Sequence, residues 1–117
     1  MNKTNREIIY NKYNGHCGYC GKEIDYKDMQ IDHIKPKANG GHDENDNYMP
    51  ACRRCNHYKR TLDLEGFRQY ITTLDERIIK NYITKVGVDF GIVELNKFNG
   101  VFYFEEKDAK IYERNKF

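Results

Sequence analysis

Four cysteines arranged as two C-x-x-C pairs are the strongest chemical signal in this sequence. Cys17 and Cys20 form the first pair, and Cys52 and Cys55 form the second. Zinc takes four soft ligands in a tetrahedron, and two such pairs supply them, so the pattern predicts a structural zinc site. A redox-active pair and unpaired core cysteines are the competing interpretations. A redox pair usually lies between a strand and a helix of a thioredoxin-like unit, and no such unit is visible here.

The segment between the two pairs carries polar side chains that can do acid–base chemistry or bind a metal. It is 31 residues long, from Gly21 to Ala51, whereas zinc ribbons separate their pairs by roughly 15–20 residues. A neutral histidine is a suitable base near neutral pH, and carboxylate and amide oxygens suit Mg²⁺. The segment contributes Asp32, His33 and Asn47, and Asn56 and Lys59 lie shortly after the second pair. We call these five residues the polar set.

The net charge gives only a weak indication of a nucleic-acid partner. The formal charge is +2. Four zinc-bound thiolates carry four negative charges and the zinc ion carries two positive ones, so a bound zinc site roughly cancels the formal charge. Attraction to phosphate must therefore come from a local cluster, and we expect it from Lys59, Arg60 and Arg53, with Arg54 beside them. A basic run of this kind is also typical of a solvated helix face.

The predicted elements place the polar set at the ends of short strands and on one helix. Successive strand residues point to opposite faces, so Asp32 and His33 are not expected to face one point on a regular strand. Asn56 and Lys59 share a helix face at i,i+3 spacing. Hydrophobic periodicity and turn signals predict a first helix ending at Asn14–Gly15, strands at Met29–Ile34 and Tyr48–Met49, a loop over residues 35–46, and a helix from the second cysteine pair to about Arg60.

Residues 61–117 contain no cysteine and no obvious catalytic cluster. Apolar residues between Leu64 and Val86 recur at helical spacing. Asn99-Gly100 lies between two apolar-rich runs and predicts a β-hairpin over Ile92–Glu105. We predict one domain, 1–117, in which residues 1–60 form the core and residues 61–117 pack on it as an extension.

The sequence contains no run of eighteen apolar residues and no apolar signal core behind its first residues, so neither a membrane span nor secretion is expected. We therefore expect a cytoplasmic location, in a bacterium or a phage-infected host cell. Cysteines in that compartment stay reduced, which favours metal binding over disulfides.

The order and spacing of these residues resemble those of a known family. The string C-x-x-C, I-D-H-I-x-P, G-G, N, C-x-x-C-N-x-x-K runs from Cys17 to Lys59 and resembles the HNH endonucleases, in the version whose last signature residue is asparagine. The resemblance implies an α+β fold: a small ββα-metal, treble-clef-like core stapled by a four-cysteine zinc site. The helical segment and the hairpin would be additions to that core.

The resemblance also implies roles for the polar set. His33 would be the general base that activates water, and Asn47 would orient it. Asp32 and Asn56 would hold a catalytic divalent metal, Mg²⁺ or Mn²⁺, with His57 as the alternative to Asn56. The expected partner is DNA, double-stranded, and the expected reaction is phosphodiester hydrolysis. The alternative is a zinc-stabilised module that binds nucleic acid without cutting it.

Overall fold

The computed structural model describes residues 3–115, with side chains described for residues 5–110. The chain divides into two compact units. The first joins the residues up to Leu64 with those from Val101 onward, and the second comprises Glu65–Gly100. The predicted α+β class is confirmed, because helices accompany one small antiparallel sheet.

The helices and strands follow one another in a simple order. Among the described helices, none combines the length and the apolar character needed to cross a membrane. In chain order the elements are α1 (Lys3–Asn11), β1 (Gln30–His33), β2 (Tyr48–Ala51), α2 (Arg53–Lys59), α3 (Leu64–Thr72), α4 (Leu74–Ile78), α5 (Tyr82–Asp89) and α6 (Tyr103–Asn115).

The two strands predicted between the cysteine pairs form an antiparallel ladder. Asp32 lies opposite Met49, and His33 lies opposite Tyr48. Pro50 is tolerated in β2 because both strands of a two-stranded sheet are edges, where a missing N–H costs little. Asp32 is buried and His33 is half-buried, so the two side chains leave the strand on opposite faces, as predicted.

Helix α1 ends at Asn11, three residues before the predicted stop at Asn14–Gly15, and it contacts β2. Asn14 and Gly15 have φ values of 55° and 77°, the left-handed conformation that stops a helix. The Arg6 guanidinium donates to the carbonyls of Tyr26 and Met29 at 2.7 and 2.9 Å. These bonds join the helix to the segment that leads into β1.

The predicted hairpin over Ile92–Glu105 is wrong. The described residues in this range contain no strand, and α6 begins at Tyr103. A two-residue Asn-Gly hairpin turn needs positive φ at both positions. Gly100 has φ of 85°, but Asn99 is not among the residues with positive φ, so the turn that would pair the two runs does not form.

The backbone amides after Gly100 bond elsewhere. The Tyr103 amide donates to the Tyr19 carbonyl at 3.1 Å, and the Phe104 amide donates to the Gly18 carbonyl at 2.8 Å. Both acceptors lie between the first two cysteines. The start of α6 is therefore bonded to the first cysteine pair, a long-range contact that the local hairpin signal does not reveal.

A side-chain cap and one buried ring complete this attachment. The carboxylate of Glu105 accepts the Phe102 amide at 2.9 Å, which is half of a capping box and favours a helix over a strand. The Phe102 ring is 2% exposed and meets the Tyr19 ring edge-on, with centroids 5.3 Å apart.

The second unit is helical, as the spacing between Leu64 and Val86 predicts. Phe67 is its buried apolar residue, at 1% exposure. The Arg68 guanidinium donates to the Gly100 carbonyl at 2.7 Å and thereby links the first and last parts of the unit. Residues 101–115 group with the first unit. The packing of residues 61–117 as one extension in a single domain stays a prediction.

Phe102→Ala should destabilise the protein by about 3–5 kcal/mol, because it removes a buried ring from the surface of Tyr19. Val101→Ala is the matched control, since Val101 is 45% exposed and should change stability by less than about 1 kcal/mol. Chemical denaturation of the two variants measures the difference. Equal effects at the two positions would show that α6 is not anchored through Phe102.

Candidate active site and metal centre

The four cysteines converge on one point, as the spacing predicts. Their sulfur atoms all lie within 4.8 Å of one another. The sulfurs of Cys20 and Cys52 are 3.9 Å apart, and a tetrahedral zinc ion with ordinary Zn–S bonds holds its sulfurs about 3.8 Å apart. The donor set and its size therefore fit zinc.

Local backbone structure presents the sulfurs. In the first pair, the Cys17 amide donates to the Lys22 carbonyl at 2.8 Å and the Gly21 amide donates to the Cys17 carbonyl at 2.9 Å. Gly21 has φ of 83°, which a residue with a Cβ adopts only with strain. In the second pair, Cys52 caps α2, and its sulfur accepts the Cys55 amide at 3.4 Å.

The close approach of the sulfurs shifts the pKa values of two of the thiols in opposite directions. Hydrogen bonds from the thiols of Cys17 and Cys55 lower the pKa of Cys20 to about 3. Hydrogen bonds with Cys17 and Cys20 raise the pKa of Cys55. The hydrogen bonds therefore favour the thiolate of Cys20, and the thiolate is the form that binds zinc.

The Asp32 carboxylate is buried and points away from the His33 side of the strand. It is 5% exposed, and its Oδ2 atom accepts from the Tyr19 hydroxyl at 2.5 Å and lies 3.0 Å from the Lys59 ammonium. Burial raises the pKa of Asp32, and the bonds from Tyr19 and Lys59 oppose that rise. Oδ1 accepts no hydrogen bond from any described residue.

The expectation that Lys59 contacts phosphate is wrong for its position in this structure. Lys59 is 0% exposed, and besides Asp32 its ammonium reaches the His33 carbonyl at 3.0 Å. A buried ammonium with two internal acceptors does not face a nucleic acid. Arg53 and Arg60 are exposed, and within the described part of the chain neither forms an ion pair.

His33 lies at the end of β1 with its ring half in solvent. Its side chain is 29% exposed, and Nε2 lies 2.7 Å from Oδ1 of Asp43. The Tyr48 ring meets it edge-on, with centroids 5.3 Å apart. Asp43 is not among the site residues predicted from the sequence. The available signal was its place two residues after Gly41, at the end of a turn that folds the loop back towards β1.

Asn47 braces the loop between the strands. Its side chain accepts the Lys35 amide at 2.9 Å and donates to the carbonyls of Lys35 and His42 at 3.0 and 2.9 Å. Its own carbonyl accepts the Ile34 amide at 2.9 Å. All its side-chain bonds to described residues are with loop backbone, so any influence on His33 passes through the loop.

Asn56 and His57 are neighbours on α2. The Asn56 side chain is half-exposed and makes no hydrogen bond with another described residue, so its amide oxygen is available to a ligand. His57 is exposed and lines an open groove of about 880 Å³ together with Arg53 and Arg54. The choice of Asn56 over His57 as a metal ligand stays a prediction.

Removal of zinc should unfold the first unit. Zinc contributes roughly 10–16 kcal/mol of apparent binding free energy in small peptide sites, which is comparable to the total stability of a domain of this size. We expect a strong chelator to abolish the cooperative melting transition and added zinc to restore it. Metal analysis must confirm the removal. The same melting curve for zinc-free protein would contradict a structural role.

Lys59→Met should destabilise the protein by roughly 3–5 kcal/mol, because it leaves the buried Asp32 carboxylate without its cation. The double variant Asp32→Asn/Lys59→Met keeps an acceptor for the Tyr19 hydroxyl and should recover much of the loss. Unfolding free energies of the two single variants and the double variant complete a double-mutant cycle. Strict additivity would mean that the ion pair contributes nothing.

Known proteins match this part of the chain. Residues 17–61 match the family model described as HNH endonuclease. The CRISPR-associated endonuclease Cas9 of Corynebacterium diphtheriae is 37% identical over 49 residues, and that of Actinomyces naeslundii is 43% identical over 44 residues. These alignments cover 41% and 37% of this chain, and each covers 4% of the relative. Residues 17–61, which contain both cysteine pairs, both strands and α2, are therefore an HNH endonuclease domain.

Proposed function

We propose that this domain hydrolyses phosphodiester bonds of double-stranded DNA, with His33 as the general base and a divalent metal held by Asp32 and Asn56. The observation that carries the proposal is the His33 ring. It is partly exposed, it is fixed by two neighbours, and its Nδ1 atom makes no hydrogen bond with any described residue. A fixed, partly exposed imidazole whose second nitrogen accepts no hydrogen bond from a described residue is suited to take a proton from water.

The reaction is a substitution at phosphorus. Water gives a proton to His33 while its oxygen bonds to the phosphorus atom. The bond between phosphorus and the leaving oxygen breaks, and that oxygen is then protonated from solvent. A neutral histidine suits the first transfer, because its usual pKa lies close to physiological pH.

The chemistry of the donor set fits a hard divalent cation. The Oδ1 atom of Asp32 and the amide oxygen of Asn56 are oxygen ligands of the type that Mg²⁺ and Mn²⁺ prefer, and neither accepts a hydrogen bond from a described residue. When bound, such a cation stabilises charge on the phosphate oxygens and on the leaving oxygen. The Lys59 ammonium lies against Oδ2 of Asp32, so Oδ1 would be the oxygen that holds the metal.

The exposed arginines supply the remaining contacts to the substrate. Arg53 and Arg60 are solvent-facing and free of ion pairs among the described residues, and Arg54 is exposed beside them. Contacts of this kind position the phosphate backbone but do not read base sequence. Asn47 keeps the loop that carries the partner of His33 in place.

A second candidate function is a zinc-stabilised module that binds nucleic acid without cutting it. The observation in its favour is the burial of Asp32 against Lys59. This contact puts a protein cation on the carboxylate that the first proposal assigns to the metal. The two functions differ in one measurement: binding alone needs no divalent metal and leaves a supercoiled plasmid intact.

His33→Ala should lower the rate of plasmid nicking in Mg²⁺ by roughly 10²–10⁴, because it removes the general base. His42→Ala is the matched control, because His42 is an exposed histidine of the loop after β1 and has no proposed role. DNA binding and melting temperature should be unchanged in both variants. Nicking at the wild-type rate by His33→Ala would remove His33 from the mechanism, and a wild-type protein that binds but never nicks would favour the second function.

A further inference from the structure

The loop after β1 holds a carboxylate against the proposed base. Asp43 is exposed on the loop, and its Oδ1 atom lies 2.7 Å from Nε2 of His33. Its Oδ2 atom lies 2.8 Å from the Lys37 ammonium. The hydrogen bonds from Lys37 and His33 lower the pKa of Asp43, so the carboxylate remains ionised and acts only as an acceptor.

An acceptor at Nε2 determines which nitrogen of the ring carries the proton. A carboxylate can bond only to an N–H, so Nε2 is the protonated nitrogen of the neutral imidazole. The lone pair then lies on Nδ1, which accepts no hydrogen bond from the described residues. Asp43 thereby selects the tautomer and restricts rotation of the ring, and the Tyr48 ring limits it from the edge-on direction.

The loop is built to bring Asp43 to this position. Gly40 has φ of 90°, and a Cβ atom on Gly41 would lie 1.7 Å from the Lys35 carbonyl oxygen, so only glycine fits there. The Gly41 amide donates to the Pro36 carbonyl at 2.9 Å, which closes the turn. The side chain of Asn47, at the end of the loop, is then hydrogen-bonded to the backbone of Lys35 near its start.

We propose that Asp43 is a positioning residue for His33: it holds the ring with Nε2 protonated and leaves Nδ1 as the nitrogen that takes the proton from water. The proposal rests on the function proposed above for His33. It assigns Asp43 no contact with substrate or metal. It also gives the Gly40–Gly41 turn and Asn47 a common purpose, because both place the loop that carries Asp43.

The chain offers a matched control for this contact. Asp46 lies on the same loop, and its Oδ1 atom is 3.2 Å from Nε2 of His42. Asp46→Ala therefore removes the same charge and the same kind of carboxylate–imidazole contact, but from a histidine that has no proposed role. Asp43→Glu keeps the carboxylate and serves as the conservative variant.

Plasmid nicking in Mg²⁺ by the zinc-loaded full chain tests the proposal. Asp43→Ala should lower kcat by about ten- to a hundredfold with little change in KM and melting temperature, as outer partners of functional histidines typically do. Asp46→Ala should stay within about twofold of wild type, and Asp43→Glu should recover part of the loss. Equal kcat values for Asp43→Ala and Asp46→Ala would overturn the proposal.

A second readout does not depend on cutting. The ¹⁵N shifts of the histidine rings in the neutral form report which nitrogen is protonated. We expect His33 as the Nε2–H tautomer in wild type, a mixture of tautomers in Asp43→Ala, and an unchanged His33 in Asp46→Ala. If the wild type never cuts but these shifts hold, the proposed nuclease function fails and the contact stands. If His33 shows the same tautomer mixture with and without Asp43, the positioning role fails.

Discussion

The carboxylate of Asp32 lies where three parts of the HNH core meet. The Tyr19 hydroxyl comes from the first cysteine pair, the Lys59 ammonium comes from the last residue of α2, and Asp32 itself belongs to β1. A buried charge must be compensated, because desolvation costs several kcal/mol per ion. The need to compensate the charge of this one carboxylate therefore sets the relative positions of the first cysteine pair, β1 and α2. Lys59 extends the constraint to the backbone of His33 through its bond to that carbonyl.

The parts of this arrangement that could be predicted from the sequence are those governed by local geometry. Two C-x-x-C pairs give a metal site, because the spacing itself brings two sulfurs to one side of a turn. The opposite orientations of Asp32 and His33 follow from the period of a strand. The turn at Gly40–Gly41 and the left-handed backbone at Asn14 and Gly15, shortly after the end of α1, follow from backbone conformations that few residues adopt.

What could not be predicted depends on contacts between distant residues. The basic run beside the second cysteine pair gave no sign that Lys59 alone turns inward, since its acceptors lie 26 and 27 positions earlier, at His33 and Asp32. The Asn99-Gly100 signal failed for the same reason. Its flanking amides found acceptors at Gly18 and Tyr19, and those long-range bonds outweighed a local turn preference. Asp43 became visible only when the fold of the loop placed it beside His33.

The attachment of α6 has a consequence for how the protein is made. The segment that covers Tyr19 is separated from the cysteine pairs by residues 65–100, which form a unit of their own. On a ribosome, both cysteine pairs and the strands emerge before Phe102 does. Zinc can then bind both cysteine pairs of a nascent chain in which the Tyr19 ring does not yet pack against Phe102. Completion of the first unit therefore waits for the translation of residues 65–100, and the core reaches its full packing only after Phe102 has been made.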